Sequence, residues 1–144
     1  IGELLQDVAQ KFDLAIETRR LTLKVDIPRS LPLLNADVSM MERVVTNLLD
    51  NAVRHTPPGG TVMLRVWQEN ERLLVEVADS GPGVEDALRE QLFLRPSALS
   101  PQSARENRGG LGLLIVRRML ELHGGSIRLV DAAAGACFRF FVPL

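Results

Sequence analysis

Hydrophobic residues recur every three or four positions in three segments of the chain, a spacing that predicts amphipathic helices. The first segment covers residues 1–18, where acidic and amide side chains separate the apolar ones. The second begins near Asp37 and stops at residues 57–60, because the sequence Pro-Pro-Gly-Gly cannot continue a helix. The third covers about residues 111–123, and Gly124 then caps it.

The second helix has a start signal and a continuous apolar side. Ser39 and Glu42 stand three residues apart at its beginning, which is the spacing of a capping box. Eight apolar residues at helical spacing are expected to form its buried side: Met40, Met41, Val44, Val45, Leu48, Leu49, Ala52 and Val53.

The remaining apolar segments predict strands. Residues 21–27 alternate with a period of two, as a half-buried strand does, and prolines follow them. Four further strands are predicted at residues 61–68, 73–78, 126–130 and 136–142. The polar residues 69–72 predict a hairpin loop, and residues 132–135 predict a second turn.

Helices mixed with hairpins predict an α+β fold. We expect a two-layer α/β sandwich in which a mixed, mostly antiparallel sheet carries its helices on one face. A short helix is expected over about residues 85–93, followed by a long loop at 94–108 that suggests a functional lid or a disordered segment. No internal linker is visible, so residues 1–144 are predicted to be one domain with a lid at about 94–110.

Composition excludes several classes of function. The 17 Lys and Arg residues nearly balance the 18 Asp and Glu residues, and only 4% of residues are aromatic, so no nucleic-acid partner is expected. The single cysteine excludes an internal disulfide framework, and with only two histidines beside it no zinc site is expected. No apolar stretch reaches the ~18 residues of a membrane span. Because the chain starts with Ile, we interpret it as a piece of a longer cytosolic chain.

Three polar residues lie at the margin of the second helix's apolar arc. At 100° per residue, Asn47, Asn51 and Arg54 fall within about 60° of one another. Asparagine is a poor helix former, so two of them in mid-helix suggest a use. An amide oxygen is a hard ligand that suits Mg²⁺, and an arginine can hold a phosphate. A solvated polar stripe is an equally good interpretation of these residues alone.

Two glycine-rich segments are candidate binding loops. Asp79 follows a strand and is spaced with Gly81 and Gly83, so a flat ligand could approach the backbone while the carboxylate accepts its N–H groups. In isolation, a plain turn is the commoner meaning of this pattern. Gly110 and Gly112 open the last helix, where free N–H groups can bind an anion. A flexible hinge or close packing of the helix explains them equally well.

Known phosphate and hydrolase motifs are absent, but the lid region is basic. The sequence has no P-loop, no complete dinucleotide fingerprint, no G-x-S-x-G elbow and neither kinase triplet, H-R-D or D-F-G. Residues 87–118 carry a local charge of +4 in a chain of net charge −1. A positive loop beside a helix start would attract a polyphosphate. For Arg89, Arg117 and Arg118 we retain the alternative of a solvated surface.

In this order and spacing, the segments resemble the catalytic and ATP-binding domain of bacterial sensor histidine kinases. Residues 47–56 look like the N box, 79–83 like the G1 box, 92–95 like the F box and 109–116 like the G2 box. The resemblance covers nearly the whole chain. It implies the ATP-binding sandwich shared with type II topoisomerases, mismatch-repair ATPases and one class of heat-shock chaperones (the GHKL or Bergerat fold).

The resemblance assigns roles to matching positions of the helix. Asn51 would supply its amide oxygen to Mg²⁺, Asn47 would support that site, and Arg54 would contact the phosphates. His55 would lie beside the nucleotide. Asp79 would accept the amino hydrogen of adenine in a pocket that two glycines open, Gly81 and Gly83. A further set at the start of the last helix is assigned to nucleotide binding: Arg108, Gly110, Leu111, Gly112 and Leu113.

Asn47 also bears on the type of reaction. ATP hydrolases of the superfamily place a glutamate one turn before the Mg²⁺ asparagine, and an amide cannot accept a proton as that base does. We therefore expect ATP to be attacked by a nucleophile other than water, and the resemblance implies that this nucleophile is a histidine on a dimerisation domain of the same protein. His55 and His123 do not fit that role. The resemblance further implies a response regulator as partner, a monomeric isolated domain, a homodimeric full protein, and a cytoplasmic location for this domain of an inner-membrane sensor.

Two positions depart from the family pattern. Arg108 stands where the first glycine of the G2 box is expected, and Pro96 replaces the second aromatic residue after Phe93. Both changes fall in the predicted lid, so they bear on turnover more than on nucleotide binding. Two alternatives therefore stay open: a nucleotide-binding pseudokinase of the same fold, and a serine kinase of the anti-sigma type.

Overall fold

The computed structural model describes residues 1–83, 109–130 and 135–144. The predicted short helix, the F box, Arg108 and most of the predicted lid lie outside the described residues. Within the described ranges, no helix is long and apolar enough to cross a membrane.

The first predicted helix is two helices, so the prediction of one helix over 1–18 is wrong. Helix α1 covers Gly2–Gln10 and helix α2 covers Asp13–Thr18. Between them, the N–H groups of Lys11 and Phe12 donate to carbonyls three residues earlier, both at 3.1 Å. These tighter bonds end the α-helical pattern. Helix α1 has completely buried apolar side chains, whereas α2 has none. The change of direction between the two helices therefore separates a buried segment from a more exposed one.

Helix α3 covers Val38–His55, but its cap differs from the predicted capping box. The side-chain oxygen of Asp37 accepts the N–H of Met40 at 3.0 Å, because Asp37 has an extended backbone and stands three residues before it. Ser39 lies inside the helix, and Glu42 pairs with Lys11 of the segment between α1 and α2. The predicted end before residues 57–60 is confirmed.

The predicted sheet is confirmed, with small changes at the ends of its strands. Its five strands are β1 (Thr22–Asp26), β2 (Thr61–Glu69), β3 (Arg72–Asp79), β4 (Ser126–Val130) and β5 (Cys137–Pro143). The strand order is β1-β2-β3-β5-β4. Among the strands that the structure describes, the β1–β2 pair is parallel and the other three pairs are antiparallel. The last helix, α4, covers Gly109–Leu122 between β3 and β4.

Alternation along the strands separates two faces of the sheet. Inward residues such as Leu64, Val75 and Phe140 join one apolar cluster with buried residues of α1, α3 and α4. Seven of the eight residues predicted for the α3 arc are buried, and Met40 is half-buried. The described helices therefore pack on one face of a mixed sheet, as predicted for a two-layer sandwich.

The other face of the sheet carries a charged row across the central strands. Glu76 of β3 lies opposite Arg65 of β2 and Arg139 of β5. It is only 7% exposed, and its carboxylate accepts the Arg139 side chain at 2.7 and 2.9 Å while Arg65 lies at 3.7 Å. Both guanidinium groups also lie over the ring of Trp67. A buried glutamate is thus paired with two arginines, as its desolvation requires.

Hydrogen bonds of the His123 ring connect the end of α4 to the beginning of α3. Its Nε2 accepts the backbone N–H of Asp37 at 3.0 Å, and its Nδ1 donates to the carbonyl of Met119 at 2.8 Å. This pair of bonds requires the neutral Nδ1–H tautomer. Gly124 follows with φ of +76°, which confirms the predicted cap. The end of α4 thus lies at the start of α3, while the start of α4 contacts the middle of α3 through Gly112 and Asn47, so the two helices run in opposite directions.

The cap of α3 can be tested by comparing two substitutions. Asp37→Ala removes the carboxylate that accepts the Met40 N–H, so we expect it to lower the free energy of unfolding by about 1 kcal/mol. Ser39→Ala is the matched control, because Ser39 is exposed within the first turn. Urea denaturation of both variants would measure the difference. An equal loss in both, or a larger loss for Ser39→Ala, would restore the capping box that the sequence predicts.

Candidate functional site

One edge of α3 presents the three polar residues singled out by the sequence. Asn51 is 7% exposed, and Asn47 and Arg54 are half-buried beside it. The Arg54 guanidinium forms an ion pair with Asp50, one turn earlier, at 3.1 Å. The backbone carbonyl of Arg54 accepts a hydrogen bond from the Arg19 side chain at 3.1 Å. The arc of buried apolar neighbours fixes the rotation of α3 and so holds this polar edge in one direction.

The beginning of α4 lies against this edge. The Asn47 side-chain N–H group donates to the carbonyl of Gly112 at 3.4 Å, a long hydrogen bond. Gly110 and Leu111 belong to the first turn of α4. Leu113 is 3% exposed and its side chain is part of the core, so that side chain is not available to a ligand. The structure thus brings the N box and the G2 box into contact.

The end of α3 meets the loop after β3. A Cβ atom on Gly81 would lie 2.4 Å from the carbonyl oxygen of His55, so only glycine fits there. The exposed His55 ring turns back on its own helix, where Nδ1 donates to the carbonyl of Asn51 at 2.8 Å. Next to this contact, the Ser80 hydroxyl oxygen accepts the N–H of Thr61 at 2.8 Å. The N box and the G1 box therefore share a contact of backbone atoms.

Asp79 is the buried acid of the site. It is 7% exposed, and its Oδ1 accepts the N–H of Gly81 at 2.9 Å and that of Ala136 at 3.3 Å. Burial raises the pKa of its carboxyl above the usual value, and the two backbone hydrogen bonds and the nearby His55 oppose that rise. A desolvated carboxylate with two fixed donors is a strong acceptor for a further N–H group.

Two neighbours of Asp79 were not expected from the sequence. Ala136 donates to it across 57 positions of the chain, and Gly135 lies against its backbone. Gly83, whose φ is +81°, also approaches Gly135 closely. The sequence offered only a glycine in a predicted turn, which carries no information about a partner so far away. Arg108, in contrast, lies outside the described residues, and its role stays a prediction.

Together these segments can bind a ligand that carries N–H groups at one end and negative charge at the other. Asp79 offers a buried acceptor for N–H groups, while Asn51 and Arg54 at the end of α3 offer an amide and a cation. No group of three histidine, cysteine or acid side chains that could hold a metal occurs in the described part of the chain. A cation here would take oxygen ligands from Asn51, the bound molecule and water, which is the preference of Mg²⁺.

The sequence profile of the family described as "Histidine kinase-, DNA gyrase B-, and HSP90-like ATPase" matches residues 36–144. The chain belongs to this family. The resemblance drawn from the four boxes is thereby confirmed. The chain is also 38% identical over 128 residues to the adaptive-response sensory kinase SasA of Synechococcus sp. (strain CC9311), which covers 88% of this chain and 33% of that protein.

Solved structures share the fold. The catalytic domain of histidine kinase ThkA matches with a TM-score of 0.83 and 27% identity, over 98% of this chain and 90% of that one. ThkA has also been solved in complex with a response regulator protein, TrrA. Full-length ShkA in complex with AMPPNP matches with a TM-score of 0.83 and 27% identity, over 99% of this chain and 30% of that one. The fold is that of histidine kinase catalytic domains.

The domain is shorter than the kinases it resembles. It spans about a third of the length of the SasA proteins that it matches, and 17% of the circadian input-output histidine kinase CikA of Synechococcus elongatus, with 35% identity. The relatives therefore contain segments that have no counterpart in these 144 residues.

The raised pKa of Asp79 predicts a pH-dependent stability. The folded protein keeps the Asp79 proton to a higher pH than the unfolded chain does, so wild-type stability falls as pH rises from about 4 through the raised pKa. Asp79→Asn does not titrate, and its amide oxygen can still accept both N–H groups. We expect the wild-type free energy of unfolding to decline relative to that of the variant across this window. Urea denaturation at several pH values measures it, and a constant difference would contradict it.

Proposed function

We propose that this domain binds Mg²⁺-ATP and transfers the γ-phosphate to a histidine on a separate dimerisation domain of the same protein. The observation that carries the proposal is the convergence of three segments, the end of α3, the loop after β3 and the start of α4. Buried Asn51 lies near the end of α3, buried Asp79 is the last residue of β3, and half-buried Gly112 lies in the first turn of α4. The AMPPNP complex of ShkA, which has the same fold, supports a nucleotide as the ligand.

In the proposal, the base of the nucleotide lies beside Asp79. Adenine carries an amino group, and the buried carboxylate is an acceptor that the surrounding protein leaves poorly hydrated. Gly81 keeps side-chain atoms out of the space beside it, because any Cβ there would collide with His55. We therefore assign recognition of the adenine amino group to Asp79, and the shape of the pocket to Gly81 and Gly83.

The phosphates belong beside the polar edge of α3. In the proposal Asn51 binds Mg²⁺ through its amide oxygen, Arg54 contacts the phosphates, and Asn47 positions the start of α4 through Gly112. The helix start would add backbone N–H groups from its first turn, which includes Gly110 and Leu111. When bound, Mg²⁺ neutralises charge on the phosphate oxygens.

The attacking group must come from outside this domain. Both ring nitrogens of His123 form hydrogen bonds within the fold, at the end of α4 away from Gly112. His55 uses Nδ1 to bond Asn51 of its own helix. An amide at position 47 cannot act as the base that activates water, so the arrangement favours an external nucleophile over hydrolysis.

The proposed transfer requires only positioning and charge neutralisation from these residues. A ring nitrogen of the acceptor histidine forms a bond to the γ-phosphorus with its lone pair, and the bond from that phosphorus to the β-γ bridging oxygen breaks. The electron pair of the broken bond leaves with ADP. Arg54 and the N–H groups at the start of α4 would hold the phosphates in line during this step.

The same proposal extends to the full-length protein. We place this domain on the cytoplasmic side of an inner-membrane sensor that is a homodimer, with the isolated domain a monomer and a response regulator receiving the phosphoryl group. The length of the SasA relatives supports further domains, and the ThkA–TrrA complex supports a regulator as partner.

Labelled ATP and the separate acceptor domain test the proposal. Wild type should label the acceptor histidine, whereas Asn51→Ala should lose ATP affinity and transfer by at least about tenfold, because a ligand to charged groups is removed. Asn35→Ala, an exposed loop asparagine, is the control and should behave as wild type. If wild type labels the histidine no better than Asn51→Ala, the proposal is wrong. Tight ATP binding without transfer would instead favour the pseudokinase.

The departure at Arg108 can be tested separately. If Arg108 contacts a phosphate, Arg108→Ala should weaken ATP binding roughly tenfold, as loss of a charge-assisted hydrogen bond does. Arg43→Ala, on the exposed side of α3, controls for a change in net charge. Calorimetric titration of both variants gives the comparison, and unchanged affinity in Arg108→Ala would exclude the contact.

A further inference from the structure

We infer that Gly135 and Ala136, which lie outside the four boxes, form the positioning element that orients Asp79 and thereby sets the preference for an adenine base. The inference rests on the proposed function, because it concerns how the proposed nucleotide site selects its base. Neither residue would touch the nucleotide in this scheme. They act through Asp79: main-chain atoms of Ala136 form hydrogen bonds with it, and Gly135 packs against it.

The first observation is an exchange of hydrogen bonds just beyond the end of the β3–β5 ladder. That ladder ends with Ala78 opposite Cys137. One residue further, the N–H of Asp79 donates to the carbonyl of Ala136 at 2.9 Å. In the opposite direction, the N–H of Ala136 donates to the side-chain Oδ1 of Asp79 at 3.3 Å. The side chain of Asp79 is therefore attached to the chain that enters β5.

The second observation is the close approach of Gly135 to Asp79. A Cβ atom on Gly135 would lie 1.8 Å from the carbonyl oxygen of Asp79, 2.7 Å from its carbonyl carbon and 3.1 Å from Oδ1. The two nearest atoms belong to the backbone and cannot rotate away. Gly135 also has φ of +76°, which side chains rarely adopt. On the other side, a Cβ on Gly83 would lie 3.1 Å from the Gly135 carbonyl oxygen.

These contacts fix the plane of the carboxylate. Oδ1 accepts two N–H groups, from Gly81 at 2.9 Å and from Ala136 at 3.3 Å, and these donors belong to two different loops, after β3 and before β5. Two donors on one oxygen prevent rotation of the carboxylate and leave Oδ2 to accept from a ligand. A movement of Gly135 would carry Ala136 with it and release one of the two donors.

A fixed acceptor discriminates between bases. Adenine offers an amino group where hypoxanthine offers an oxygen, and an oxygen cannot donate to a carboxylate. A buried polar group that is left unpaired rejects such an analogue strongly, provided the group cannot turn away. Discrimination between ATP and ITP is therefore the property that the Gly135–Ala136 contact should control, whereas a general loss of stability would weaken the binding of both nucleotides alike.

The test is the ratio of the dissociation constants of ITP and ATP. Wild type should prefer ATP, and Gly135→Ala should lower this ratio at least about tenfold through weaker ATP binding. Gly59→Ala is the matched control, since Gly59 has φ of +88° but a Cβ there would have no neighbour within 4 Å. It carries the same backbone strain and should keep the wild-type ratio. Asp79→Ala should abolish the preference and serves as the positive control.

The outcomes separate this inference from the proposed function. If wild type binds neither nucleotide, the proposed function is wrong. If wild type and Gly59→Ala prefer ATP and Asp79→Ala does not, an unchanged ratio in Gly135→Ala overturns the inference alone. Should Gly135→Ala not fold, the amide resonance of Ala136 in the wild type provides the answer. It should shift more on ATP than on ITP binding, and an equal response to both, or none, overturns the inference.

Discussion

The packing of α3 on the sheet determines where the polar residues of the site point. Residues such as Val44, Leu48 and Leu49 are completely buried, so α3 has only one rotation about its axis that covers its apolar side. That rotation places Asn47, next in the chain to Leu48, against α4 at the margin of the core. A helix with a narrower apolar stripe could rotate about its axis without exposing apolar side chains, and its amide side chains would then face solvent.

The burial of Asp79 beside this helix gives the site a carboxyl group with a raised pKa and a fixed direction. Removing Asp79 from water disfavours its charged form, which is why burial raises its pKa. The N–H groups of Gly81 and Ala136 offset part of that desolvation and also set the direction of the carboxylate. Glu76 on the other face shows a contrasting solution, in which two arginines pair with the buried acid.

Local patterns in the chain were sufficient for most of the helices and strands. The apolar period identified α3 and α4, and the Pro-Pro-Gly-Gly segment ended α3 where predicted. Local patterns failed where two signals competed. Ser39 has the capping-box spacing, but Asp37 lies at the turn from extended to helical backbone and takes the cap. In the first segment, one apolar period continued through residues 11–12, where the chain turns between α1 and α2.

The sequence by itself determined most of the described elements, their polar edges and the four boxes that indicated the family, because those signals depend on residues within one or two turns of each other. Only the tertiary structure decided the contacts that orient the site. Ala136 reaches Asp79 across 57 positions, and His123 reaches Asp37 across 86. Backbone N–H groups make both bonds, and every residue except proline carries one. No residue type marks such donors in advance, so they become visible only when folding brings the two segments together.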